Sequence, residues 1–90
     1  MSPYGDIVTP DAALLNARSL PQLGTAVRTL RRRREWSQAQ LAHRAQVSRQ
    51  WVIALESGQT EGMEVGRLMR VLDALDASLM VRDDAPVGPQ

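Results

Sequence analysis

The sequence predicts an all-α fold, a bundle of four to five short helices with one short strand near the C-terminus. Three observations carry that expectation. From Leu23 to Leu75 apolar residues recur at three- and four-residue spacing, the period of a helix with one buried face. Ser37 and Ser48 each precede such a run and Gly58 follows one, where capping residues start and stop helices. Beyond the last run, Ala77-Ser78-Leu79-Met80-Val81-Arg82 reads as a strand.

Residues 1–19 form either a short helix or an arm. Thr9-Pro10-Asp11 is a helix start, with Thr9 as N-cap and Pro10 at the first helical position, leading into 12–17. Pro21 opens the first well-defined helix, where Leu23, Val27 and Leu30 make one stripe, with Arg28, Arg32 and Arg33 largely off it. That helix is expected to end near Arg34. Ser37 and Gln40 fit a capping box for the second helix, whose buried side is Leu41, Ala42 and Ala45. Gln46-Val47 is a tight connection, and Ser48 caps a third helix reaching about Glu56, with Val52 and Leu55 inward. After a polar loop at 59–62, a fourth helix runs from about Glu64 to Leu75 on a stripe of Val65, Leu68, Met69, Leu72 and Leu75. A lone strand leaves its backbone groups unpaired, so Leu79, Met80 and Val81 are expected to pair with a second copy of the chain; the competing reading is that this stretch extends the last helix or packs as coil. The division is then an arm or short helix at 1–19, a domain at 20–82 and a disordered tail at 83–90.

Length and composition narrow the classes. A chain of 90 residues suits one domain, and one this small gains stability from a partner subunit. There is no Cys, and His43 is the single His, so no metal site is expected. No apolar run is long enough to span a membrane, and no signal peptide is evident, so a cytoplasmic protein is expected. No nucleophile, base and orienting group converge, and the glycines form no phosphate loop; neither an enzyme nor a cofactor is expected.

Charge distribution says more than net charge. Seven Arg and one acid, Glu35, lie between Arg28 and Arg49, whereas seven acids and three Arg lie between Glu56 and Asp84. A basic first half and an acidic second half imply two faces with different partners. Within the basic half, residues 37–58 hold two short helices joined by a tight turn. In such a pair the first helix crosses the DNA backbone and the second lies in the major groove. With Val52 and Leu55 inward, Arg49, Gln50, Ile53, Ala54 and Ser57 face outward. Arg bonds guanine and Gln bonds adenine in bidentate fashion, and Ala can touch a thymine methyl. Arg49, Gln50 and Ala54 are therefore the expected base contacts. Arg33 and Arg34, just before the pair, are expected near phosphate. So are the helix caps Ser37 and Ser48.

Residues 26–75 resemble the lambda-repressor-like helix-turn-helix family of the XRE or Cro type. The resemblance rests on Arg31, Trp36-Ser37-Gln38, Leu41-Ala42, Val47-Ser48, Val52, Leu55-Glu56, Gly58, Leu72 and Leu75. It implies that Gln38 bonds a phosphate, that Arg31 pairs with Glu56 as a structural ion pair, and that Ser57 to Gln59 touch phosphate, with Ser57 and Gln59 as the side chains. Two positions depart from the pattern: Gln46 replaces a frequent Gly at the turn, and Trp51 is bulky at the edge of the buried face, where it either packs on a neighbouring helix or touches the DNA backbone. The closing run from Leu72 to Val81 is similar to HipB-type antitoxins. That similarity implies a dimeric repressor of a palindromic operator on double-stranded DNA, controlling its own operon and docking a HipA-type kinase toxin. A stand-alone or phage-type repressor and a protein-interaction module without an operator are the alternatives.

Overall fold

A computed structural model describes residues 14–86. Among them are four helices: α1 (Leu20–Arg33), α2 (Gln38–Ala45), α3 (Arg49–Glu56) and α4 (Val65–Ala74). Each of the first three begins at a serine. The Ser19 hydroxyl accepts from the Gln22 amide at 3.2 Å, one residue earlier than Pro21 alone predicts. Ser37 and Gln40 close a reciprocal capping box, with the Gln40 amide donating to Ser37 Oγ at 3.0 Å and the Ser37 amide donating to Gln40 Oε1 at 2.7 Å. Ser48 Oγ accepts from the Trp51 amide at 3.0 Å. Each bond satisfies helix N–H groups that have no intrahelical partner.

The turns are left-handed where the chain reverses. Glu35 (φ 57°) follows α1 and Gln46 (φ 59°) ends α2. Holding a non-glycine residue there costs of order 1–2 kcal/mol. At Gln46 the amide bonds back to His43 O, and the next amide, Val47, bonds to Ala42 O at 3.0 Å. Gly58 (φ 75°) follows α3, and a Cβ there would fall 2.7 Å from Pro21 Cα.

α3 packs against both α1 and α2, and α4 packs against α2. Val27, Leu41, Ala42, Ala45, Val52, Leu55, Leu68, Val71, Leu72 and Leu75 form the core. The fourth helix is rotated from its expected setting. Leu68, Val71, Leu72 and Leu75 are buried, while Val65 is 61% and Met69 45% exposed. The buried stripe is narrow, and Met69 lies about 100° round the helix from Leu68, outside it.

Residues 14–17 carry no helix, so the short N-terminal helix is not formed over that part of its span. Thr9-Pro10-Asp11 and residues 12–13 lie outside the described residues, as do 87–90 of the expected tail. No strand is present among the described residues. Leu79, Met80 and Val81 are 50%, 70% and 94% exposed, and none of the described residues pairs with them as a strand. Arg82 Nη1 donates to Asn16 Oδ1 at 3.2 Å, and Arg18 lies 3.9 Å from the Asp84 carboxylate, which brings the two ends of the described chain together.

A close approach of α1 to the end of α3 tests the packing. At an ordinary helical site Gly→Ala gains about 1 kcal/mol of propensity. At Gly24 the added methyl would meet the backbone carbonyls of Leu55 and Glu56, the second at 2.6 Å. Overpacking of this kind costs about 1–3 kcal/mol or more, and backbone cannot swing aside. Gly24→Ala is therefore expected to lower the urea midpoint at unchanged m-value; a variant as stable as the parent would show that α1 and α3 do not touch here.

Candidate nucleic-acid interface

The centre of the three-helix contact is ionic. Glu56, at the end of α3, has a fully buried side chain. Arg31, in the last turn of α1, donates from Nε to Glu56 Oε2 at 2.6 Å and from Nη2 to Oε1 at 2.9 Å. Its Nη1 donates to Trp36 O at 2.8 Å, fixing the turn into α2. Gln38 Nε2, in the first turn of α2, donates to Glu56 Oε1 at 3.2 Å, and Arg28 Nε reaches the same oxygen at 3.5 Å. Burial alone pushes the Glu56 carboxyl up. The hydrogen bonds from Arg31 and Gln38, the Arg31 charge and the bond from Arg28 outweigh it, and hold the group below its ordinary value.

With α3 anchored in this way, its outer row is set. Arg49, Gln50 and Ser57 are exposed, and Ile53 and Ala54 are half-buried. Glu56 is the one acid on α3, so the single exposed charge of that helix is Arg49. Trp51 is half-buried and packs on the core. Arg33 is exposed in the last turn of α1, whereas Arg34 is its C-cap and donates from Nη1 to Leu30 O at 2.9 Å. Ser37 Oγ and Ser48 Oγ accept amide protons and keep their own protons free to donate; Ser57 Oγ donates to Ala54 O. Gln59 is exposed, and its amide bonds to Ala54 O at 2.9 Å. His43 is exposed on α2.

The structure thus brings Arg31, Gln38 and Glu56 into one network and sets Arg49, Gln50, Ala54 and Ser57 on one face. Two features were not found from the sequence. Arg28 joins the network; its place one turn before Arg31, at i−3, was the available signal. Arg44 stacks on Trp36, 4.3 Å from the ring centroid, a contact made across a turn that spacing alone does not reveal. Among the described residues no group of His, Asp and Glu side chains could hold a metal ion, and no helix is long and apolar enough to cross a membrane.

Two short helices joined by a left-handed turn, the second pinned from within and open along its outer row, define a helix-turn-helix DNA-binding domain. The family described as a helix-turn-helix domain matches residues 22–84, and the chain belongs to it. No curated protein matches the sequence. Among solved structures, a complex of a HipB variant with an O2 20mer is similar, with a TM-score of 0.71 at 20% identity, over 81% of this chain and 100% of that one. A HipA–HipB–O2–O3 complex and a structure described as MDT protein each give a TM-score of 0.70 at 19% identity, over 80% of this chain and 100% of theirs. At such identities the likeness is one of fold.

The Glu56 carboxyl links stability to pH. A carboxyl held low in the folded state contributes fully above its unfolded value, 4.5, and the contribution is lost as pH falls through the lower folded value. The melting temperature is expected to fall as pH drops from about 5 towards 3. Glu56→Gln is expected to start lower, because Arg31 keeps a buried charge without its counterion, and to show a flatter acid slope. A Gln variant with the parent's full slope would remove Glu56 as the titrating group.

Proposed function

We propose that the chain is a sequence-specific, dimeric DNA-binding repressor in the cytoplasm, and that it is the self-regulating antitoxin of a type II toxin–antitoxin pair whose toxin is a HipA-type kinase. One observation carries the DNA-binding part: α3 presents Arg49 and Gln50 on an outer row whose only exposed charge is positive. Arg49, Gln50 and Ala54 contact bases in this reading. Arg33, Arg34, Ser37, Gln38, Ser48, Ser57 and Gln59 contact phosphate; Gln38 has a second Nε2 proton for it besides the one given to Glu56.

The antitoxin part draws support from the fold shared with HipB, whose solved structures include one with HipA. The dimer draws support from Leu79, Met80 and Val81, three consecutive apolar residues at least half exposed. Paired with the same segment of a second copy they satisfy their backbone groups and cover their side chains. Two recognition helices about 34 Å apart then meet two half-sites of a palindrome.

A gel-shift titration against DNA upstream of the native gene, with random DNA as competitor, tests the repressor. Tight, salt-sensitive binding that survives the competitor is expected. Arg49→Ala should lose roughly 1–3 kcal/mol at one guanine position, while Arg33→Ala should weaken all sequences about equally. Binding no better than to random DNA would favour an interaction module with the same fold. For the dimer, sedimentation of Val81→Pro is decisive, since proline removes a donor and breaks strand pairing. The variant is expected to sediment as monomer where the parent is dimer; an unchanged dimer would place the interface elsewhere.

A further inference from the structure

α3 has one large apolar side chain that is not among those packed on the core. Val52 and Leu55 are fully buried, and Trp51 packs on the core edge. Ile53 is half-buried and is not among the side chains that pack on that core. It follows Arg49 by four residues and Gln50 by three, so it shares their face of the helix. Ala54 stands beside it. The outer row therefore has a cation and an amide at its N-terminal end and an aliphatic pair in its middle.

We propose that Ile53 is a specificity-determining residue that reads the 5-methyl group of thymine in the major groove. This rests on the DNA-binding reading above and extends it by one residue and one base feature. The thymine methyl is an apolar group displayed among the donors and acceptors of the major-groove base edges. Against a donor or acceptor edge, Ile53 would strip water and return no hydrogen bond. Against the methyl, both partners lose contact with water. The β-branched side chain has one strongly preferred rotamer in a helix, so little freedom remains to be lost on contact. Arg49 and Gln50 then select by hydrogen bonds, and Ile53 selects thymine and rejects G·C at its own position.

The test begins with sites selected by the full chain from a randomised duplex pool. Each thymine of the consensus is then replaced singly by uracil, which removes only the methyl. At one thymine of each half-site, uracil is expected to weaken binding about three- to fivefold. Ile53→Ala is expected to bind the thymine site more weakly and to be indifferent to that uracil, with Ile53→Val between the two. Melting temperatures of both variants are expected to stay near the parent's, because the side chain is not packed on the core. The proposal is overturned if no uracil matters to the parent, or if Ile53→Ala keeps the parent's full uracil sensitivity. It is equally overturned by a consensus with no thymine. A pool that yields no consensus overturns the operator-binding reading beneath it.

Discussion

The pairing of Arg31 with Glu56 sets where α3 stands, and the other features of the candidate interface depend on that position. Glu56 closes the recognition helix, Arg31 lies in the last turn of α1, and Gln38 opens α2. One carboxylate therefore bonds side chains from the two helices that α3 packs against. Such a pair is weak evidence of net stabilisation, because both charges are taken out of water. Its value here is directional. Arg31 uses Nε and Nη2 on the carboxylate and Nη1 on the Trp36 carbonyl, so one planar group fixes the helix end and the turn that follows. An apolar pair of equal volume would fill the space without fixing either.

That placement requires close backbones. Gly24 lets α1 approach the carbonyls of Leu55 and Glu56, and Gly58 lets the chain leave α3 against Pro21. Both contacts lie near the end of α3 that holds Glu56. The other end is held by the Ser48 cap and by Val47, whose amide returns to Ala42. The recognition helix has only eight residues, too few to persist on its own. It is held at both termini by tertiary and capping contacts, which leaves its outer row free of structural duty.

What the sequence made legible follows from the range of each interaction. The caps at Ser37 and Ser48, the capping box and the left-handed Gly58 are local, spanning three or four residues, and sequence spacing locates them. The inner and outer faces of α3 follow from a short helix with two buried aliphatics. The setting of α4 was not legible, because Val65 and Met69 have the right spacing and only the position of α2 decides that Val71 is buried in their place. Arg28 joining Glu56, and Arg44 covering Trp36, likewise depend on how helices cross. At Leu79 to Val81 the limit is different: a strand is a property of two segments, and no second segment lies within the described residues.

Burial of Glu56 has an electrostatic consequence beyond packing. An exposed carboxylate on the outer row would stand near a phosphate backbone and oppose its approach over a distance of about 8–10 Å. On α3 the one acid is instead turned inward and neutralised by Arg31, with Arg28 adding a further positive charge at the network's partly exposed edge. The same contact that orients the helix therefore leaves Arg49 as its only exposed charge. The remaining acids between Glu56 and Asp84 fall after α3, in the loop, in α4 and in the closing segment, and α4 packs on α2. Between Arg28 and Arg49 the helices that lead into and form the recognition unit carry cations with Glu35 as the one acid, whereas the segments after α3 carry six acids together with Arg67, Arg70 and Arg82. In the proposed reading, the cation-rich helices are the part of the molecule that a polyanion meets.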